Sequence, residues 1–286
     1  LAVAEFLYRA LAQRGATRRS PIIGLGGGVV GDLAGFVAAT WKRGAPYLSC
    51  PTSLLAMVDG GFGGKTALHL DHTKNLIGAF KFPLAALCDV NTLATLPQER
   101  IPDGLAEALK HGVIGDPALF GTLEAGRPAL EAPFIAQAMA VKVGIVGRDP
   151  FEEGERAHLN LGHTIGHALE TVSAFELSHG EAVALGLLGE ARLARELGMC
   201  DAAVPARIEG ALKALGLPTT CPLPDDLSAL EAAIDQDKQH APGERRFVLP
   251  AAIGAVRVVI NPPAAALQRT LESLREPLSP QDTQEP

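Results

Sequence analysis

The segment Glu155–Glu170, ERAHLNLGHTIGHALE, holds residue types that could do chemistry together. Arg156, Asn160, His163, His167 and Glu170 fall at i, i+4, i+7, i+11 and i+14. At roughly 100° per residue that spacing predicts one shared helical face, with Leu161, Ile165, Ala168 and Leu169 as an apolar stripe on another. Two imidazoles four residues apart can converge on one metal ion or one substrate. Thr164 stands where H-E-x-x-H has its Glu, so zinc-peptidase chemistry is not implied. The competing reading is a helix whose histidines are merely half-buried. His179-Gly180-Glu181 opens the next helix, and one loop can return His179 beside His163. A carboxylate would complete a three-ligand site with an open coordination position. Glu107, on one helical face with Lys110 and His111, is the candidate, and the alternative for that face is an exposed ion pair. Lys142 interrupts an apolar helix (Ala140, Val141, Val143, Ile145) and reads as a positioned ammonium.

Two glycine loops could bind anions. Gly26-Gly27-Gly28-Val29-Val30-Gly31 satisfies G-x-G-x-x-G between a strand and a helix, where bare backbone N–H groups can cradle a pyrophosphate. A ligand-free tight turn is the alternative. The acidic residue expected about 20 positions on, which would hold an adenosine ribose, is missing, since Pro46–Pro51 contains no Asp or Glu. Asp32, just inside the helix, could meet a nicotinamide or simply complement the helix dipole. The second loop, Asp59–Thr66, ends in Gly-Lys-Thr but has Asp59 where a Walker A needs Gly. A P-loop kinase is therefore not implied. Lys65 beside a backbone nest still suits a phosphate or carboxylate.

Short apolar runs at Pro21–Leu25, Tyr47–Cys50 and Ala85–Val90 read as strands, with helices over Leu1–Arg14 and Val29–Thr40 and a helical turn at Leu54–Val58. Beyond Pro97 helices dominate, over Pro102–Ile114, Pro133–Val146, Ala157–Val172, Glu181–Leu197 and Ala202–Leu215, with one short strand at Arg246–Leu249. This predicts an α/β, Rossmann-like nucleotide-binding domain over residues 1–95, followed by an all-α metal- and substrate-binding domain over 96–286. The chain opens on Leu1 inside a helical pattern, so the nucleotide domain is expected to be N-terminally incomplete.

Across 286 residues the net charge is −7, which argues against a nucleic-acid binder. No apolar run approaches the ~20 residues that span a bilayer. Four scattered cysteines without a C-x-x-C fit a reducing, cytoplasmic setting.

Taken together, GLGGGVVGDLAGFVAATWKRG, CPTSLLAMVDGGFGGKT, KNLIGAF, GLAEALKHGVI and LNLGHTIGHALE followed by SHGEAVALG resemble the 3-dehydroquinate synthase family of sugar-phosphate cyclases, in the family's own order across residues 24–186. Family members are longer at the N-terminus by several tens of residues. The resemblance implies zinc or cobalt on Glu107, His163 and His179. It implies NAD on Gly27 and Gly28, with Asp32, Thr52, Ser53, Asp59, Lys65, Lys74, Asn75, Thr95 and Leu96 around it. The substrate, a small-molecule seven-carbon keto-acid phosphate, would meet Lys65, Lys110, Lys142, Arg156, Asn160, His167 and Lys238. Arg43 would reach a substrate phosphate in the neighbouring subunit of a homodimer. His167, Lys110, Lys65 and Asn160 would take part in catalysis. Ser53 where Thr is usual, Gly60-Gly61-Phe62 where Ser-Ser-Val is usual, and a single Lys near 238 are departures. The implied reaction is transient oxidation of 3-deoxy-D-arabino-heptulosonate 7-phosphate, loss of phosphate, reduction and ring closure to 3-dehydroquinate. A sister cyclase, a metal-dependent alcohol or glycerol dehydrogenase and an inactive remnant are the alternatives.

Overall fold

A computed structural model describes residues 1–70, 73–174, 176–236 and 243–276. The chain divides into two compact units. One comprises Leu1–Ala108 and Ala129–Arg156, the other Leu109–Pro128 and Ala157–Pro286.

In the first unit, helix α1 (Ala2–Gln13) precedes strand β1 (Ile22–Gly26), helix α2 (Gly28–Thr40) and strand β2 (Tyr47–Pro51). A hairpin follows, β3 (Lys65–Leu70) and β4 (Thr73–Phe80), and then the two-residue β5 (Ala85–Ala86). β1, β2 and β5 form a parallel sheet in that order, with Ile22 opposite Tyr47 and Leu48 opposite Ala85. α2 is apolar apart from Asp32 and Thr40, and buries Ala34 and Ala38 against Tyr47, and Phe36 and Val37 against Ala4 and Leu68. That close approach needs Gly35, where a Cβ would lie 2.3 Å from the Thr66 side chain. The hairpin lies in what the sequence presents as loop. Its strands pair antiparallel with a register shift between Leu68 and Leu70, so the period-2 signal is broken. The third strand expected at Ala85–Val90 is shorter, because Asp89 caps a 3₁₀ turn over Val90–Thr95 by accepting from the Asn91 N–H at 3.0 Å.

Helix α3 (Ile101–Gly115) begins in the first unit and continues into the second. The contacts therefore do not divide near residue 95, where the sequence pattern changes. Helix α5 (Ala132–Arg148) also belongs to the first unit, packing against the turn at Ala56–Gly60.

The second unit contains α4 (Pro117–Glu124), α6 (His163–Val172), α7 (His179–Glu196), α8 (Ala203–Leu215), α9 (Ser228–Asp235) and α10 (Ala264–Glu272). α7 is its axis, packing on α6, α8 and α10 and burying Leu185, Leu187, Leu188 and Leu193. This unit is not all-α. Strands β6 (Arg246–Ala252) and β7 (Ala255–Ile260) form an antiparallel hairpin, and Phe247, Val248 and Leu249 of β6 are core residues. Phe247–Leu249 are buried on consecutive positions rather than alternately, as in a strand covered on both faces.

Candidate functional site

In the first unit, the glycine turn after β1 enters α2 through Gly27, an N-cap in extended backbone with no side-chain capping bond. A Cβ at Gly27 would already be 3.4 Å from the Ser53 hydroxyl, while at Gly28 it would meet nothing. The Thr52 N–H donates to the Gly26 carbonyl at 2.9 Å, tying the β2 end to this turn. A helix N-terminus bared in this way is chemically suited to a pyrophosphate. Asp32 sits one turn into α2. Burial lifts its carboxyl from the ordinary 3.8 to about 6, against the opposing pull of the Lys142 ammonium.

Lys142 extends from α5 to Asp59, Nζ to Oδ2 2.6 Å, with both side chains largely buried. Beside it, a Cβ on Gly63 would lie 3.2 Å from Lys142 Cε and 3.5 Å from an Arg156 guanidinium nitrogen. Arg156 is 2% exposed. It donates to the Gly63 carbonyl at 2.6 Å and to the Pro150 carbonyl, and its guanidinium lies 5.7 Å from the Phe80 ring centre. Burial pushes its pKa down, while Glu152, Asp149 and Asp59 oppose the shift. Lys65 pairs with Glu152, which sits in left-handed backbone (φ 64). The second glycine loop is thus wrapped by Asp59, Lys65, Lys142 and Arg156. A Cβ at Gly63 would press on the ends of the Lys142 and Arg156 side chains, which would have to give by a few tenths of an ångström.

In the second unit, the helix expected over Ala157–Val172 is broken. Glu155–Asn160 is a 3₁₀ turn, Gly162 adopts φ 80, and α6 starts afresh at His163. The shared face of Arg156, Asn160, His163, His167 and Glu170 therefore does not form as one helix. Arg156 belongs with the first unit, and Asn160 ends the 3₁₀ turn. The break falls at Gly162, whose left-handed backbone cannot continue a right-handed helix. Its carbonyl lies close against α7, where a Cβ on Gly186 would sit 1.9 Å from that oxygen.

The imidazoles do meet. His163 stands edge-on to His167, ring centres 5.2 Å apart, and to His179 at 5.6 Å. The His163 Nδ1 lies 3.0 Å from the Leu161 carbonyl, which can only accept, so Nδ1 carries the proton and Nε2 offers the lone pair. His179 is the first residue of α7. Ser178 caps that helix by accepting from the Glu181 N–H at 3.3 Å, while Glu181 accepts from the Ser178 N–H at 2.8 Å. Its Nδ1 is 3.8 Å from Glu170. Glu107 and Lys110 lie on α3 with 0% and 1% exposure, burial that long charged side chains reach only when a specific environment holds them. Within the second unit, the imidazoles of His163 and His179 are donors of the kind that suit zinc or cobalt.

Other predicted residues are more dispersed. Asn75 has φ 54 in β4, and its N–H donates to His69 Nδ1 at 3.1 Å. Thr95 and Leu96 close the 3₁₀ turn after β5. Lys42 and Arg43 both take left-handed φ (47 and 65) after α2. Arg43 is exposed, beside Arg18, Arg19 and Lys81 around a cavity of about 580 Å³. Lys238 and the Lys74 side chain lie outside the described residues. Sequence reading overlooked Glu152, which no periodicity marks, and Ser178, although S-x-x-E before an apolar run is a capping-box signature.

Comparison with known proteins matches residues 1–103 to the N-terminal part and residues 104–240 to the C-terminal part of 3-dehydroquinate synthase. A 3-dehydroquinate synthase of Xanthomonas campestris pv. campestris (strain 8004) is 47% identical over 275 residues, covering 92% of this chain and 74% of that one. Among solved structures, the 2-epi-5-epi-valiolone synthase ValA of Streptomyces hygroscopicus subsp. jinggangensis 5008, with NAD+ and Zn2+ bound, superposes with a TM-score of 0.87. It is 28% identical and the match covers 96% of this chain and 78% of that one. A 2-deoxy-scyllo-inosose synthase complexed with carbaglucose-6-phosphate, NAD+ and Co2+ shares the fold, with a TM-score of 0.85, 24% identity and coverage of 95% and 79%. The chain belongs to the 3-dehydroquinate synthase family.

Proposed function

We propose that this protein converts 3-deoxy-D-arabino-heptulosonate 7-phosphate to 3-dehydroquinate and inorganic phosphate, the shikimate-pathway step, as a carbon–oxygen lyase. The observation that carries this reading is the 47% identity sustained along 92% of the chain. The identity to the valiolone synthase, 28%, is much lower, which favours the seven-carbon keto-acid substrate over that of a sister cyclase.

Residue roles follow from chemistry. Gly27, Gly28, Thr52 and Ser53 line the bare end of α2 and, with Asp32, Asp59, Lys65, Lys74, Asn75, Thr95 and Leu96, hold NAD. Glu107, His163 and His179 hold a divalent metal. When bound, NAD supplies reversible hydride acceptance and the metal supplies Lewis-acid polarisation of a hydroxyl and the ketone derived from it. Lys65, Lys110, Lys142, Arg156 and Lys238 grip the phosphate and carboxylate, the two anionic groups of the substrate. Arg156 does so with a guanidinium already fixed by two carbonyls, so little side-chain entropy is lost on binding. Asn160 orients a substrate hydroxyl. His167, whose ring packs on His163, moves the proton, an imidazole being suited to this near neutral pH. The strained backbone at Lys42 and Arg43 supports a second-copy role for Arg43, reaching a substrate phosphate across a homodimer. Four free cysteines support a cytoplasmic setting. Among the described residues no helix is long and apolar enough to cross a membrane.

A substrate panel tests the reading. With metal and NAD supplied, phosphate release is expected from the heptulosonate phosphate and not from sedoheptulose 7-phosphate or glucose 6-phosphate, and it should stop on chelation. Faster release from either of the other sugars would transfer the assignment to a sister cyclase.

A further inference from the structure

We propose that Glu190 is a positioning residue that acts on the metal site through a single peptide group. The inference rests on the assignment of His163 as a metal ligand. Glu190 lies on α7, about three turns beyond His179, and is 0% exposed. Its Oε2 accepts from the Gly162 N–H at 2.5 Å, and Oε1 lies 3.5 Å from the Ile165 N. The carbonyl of that same peptide unit, Leu161 O, accepts from His163 Nδ1 at 3.0 Å. The sequence of groups is therefore carboxylate, peptide N–H, peptide C=O, imidazole N–H, and finally Nε2, the imidazole nitrogen left to bind a metal.

Direct carboxylate–histidine–metal triads fix the ring tautomer and raise ligand basicity. Here one peptide group stands between the carboxylate and the ring. An anion on the N–H side polarises the carbonyl, which strengthens the Nδ1–H···O bond and increases the electron density on Nε2. α6 has no side-chain cap of its own, since its N-cap is Gly162 at φ 80, so Glu190 also supplies the anion that the helix N-terminus favours. The linkage has little slack. Besides the Gly186 contact with the Gly162 carbonyl, a Cβ on Gly166 would lie 2.9 Å from the Ala182 carbonyl oxygen, so α6 and α7 touch backbone to backbone and cannot slide to absorb a loose turn. One helix thus carries both the ligand His179 and the carboxylate that fixes the ligand His163.

The experiment compares wild type, Glu190→Gln, Glu190→Asp and His163→Ala, reading zinc affinity by chelator competition and the d–d absorption of the cobalt-loaded protein. Glu190→Gln keeps the shape and removes the charge. It is expected to weaken zinc binding about tenfold or more and to shift the cobalt bands. Glu190→Asp, which restores the charge, should recover part of both. A purely structural role would lower the melting temperature of Glu190→Gln while leaving affinity and cobalt spectrum as in wild type, and that result overturns the proposal. If His163→Ala binds zinc like wild type, the metal assignment itself has failed. Should Glu190→Gln not fold, hydrogen exchange of the Gly162 amide in the wild-type protein decides. It is expected to slow several-fold on zinc binding, and an unchanged rate overturns the proposal.

Discussion

At the residue scale, Glu107, Lys110 and Arg156, charged groups of the proposed site, are buried. Lys142 and Asp59 form a pair with 12% and 20% of their side-chain surfaces exposed, and Lys142 also restrains the upward shift of Asp32. Removing one member of a largely buried pair strands the charge of the other, at a cost of about 3 kcal/mol. Lys142→Met is therefore expected to lose about that much stability in urea denaturation near neutral pH, and to lift the Asp32 carboxyl above its present value of about 6. Asp32 also predicts a pH dependence. Its folded-state pKa lies above its unfolded value of 3.8, so folding favours the protonated form. The penalty is absent below about pH 4, grows as pH rises through about 6, and is complete above that. Asp32→Asn should stabilise the protein by up to about 3 kcal/mol above pH 6, less where water screens the carboxylate, with the gain vanishing toward pH 4. A gain that stays constant across that range would show that its cause is packing. His163→Ala should lower metal affinity by more than the roughly 10–100-fold that loss of an outer partner costs, measured by elemental analysis after dialysis.

At the element scale, α6 and α7 show what residue types alone reveal and what they conceal. The imidazole spacing in LNLGHTIGHALE was legible because His163 and His167 are four apart on a true helix. The break before His163 was not, because the apolar pattern runs on through Gly162 and does not reveal that this glycine takes left-handed backbone. Gly186→Ala tests the close approach of α7 to this turn: its Cβ would sit 1.9 Å from a backbone oxygen that no rotamer can move, so a loss of about 3 kcal/mol or more is expected in thermal or urea denaturation. Ser178→Ala should cost about 1 kcal/mol through the lost α7 cap and loosen His179 with it. The hairpins were hidden for different reasons. Lys65–Phe80 carries a register shift that erases alternation, and β7, AVRVVI, is apolar at all positions but Arg257 and so shows no apolar–polar alternation.

At the scale of the whole molecule, the net charge of −7 argued against a nucleic-acid binder, and the change in pattern near Pro97 marked where helices begin to dominate. It did not locate the division between compact units, because that division depends on where α5 packs. α5 joins the first unit by way of Lys142 and the turn at Ala56–Gly60, a pairing of residues more than 80 positions apart in sequence. An acidic chain that nonetheless gathers Lys65, Lys142 and Arg156 around one glycine loop has concentrated its cations where a substrate bearing both phosphate and carboxylate would need them. The central claim is that this machinery eliminates phosphate while its nicotinamide returns to the starting state. The most direct measurement follows phosphate, 3-dehydroquinate and absorbance at ~340 nm in one reaction of metal- and NAD-loaded protein with the heptulosonate phosphate. Phosphate and 3-dehydroquinate should form in equal amounts with no net gain of NADH. Steady NADH accumulation without phosphate would instead identify a simple dehydrogenase and contradict the account.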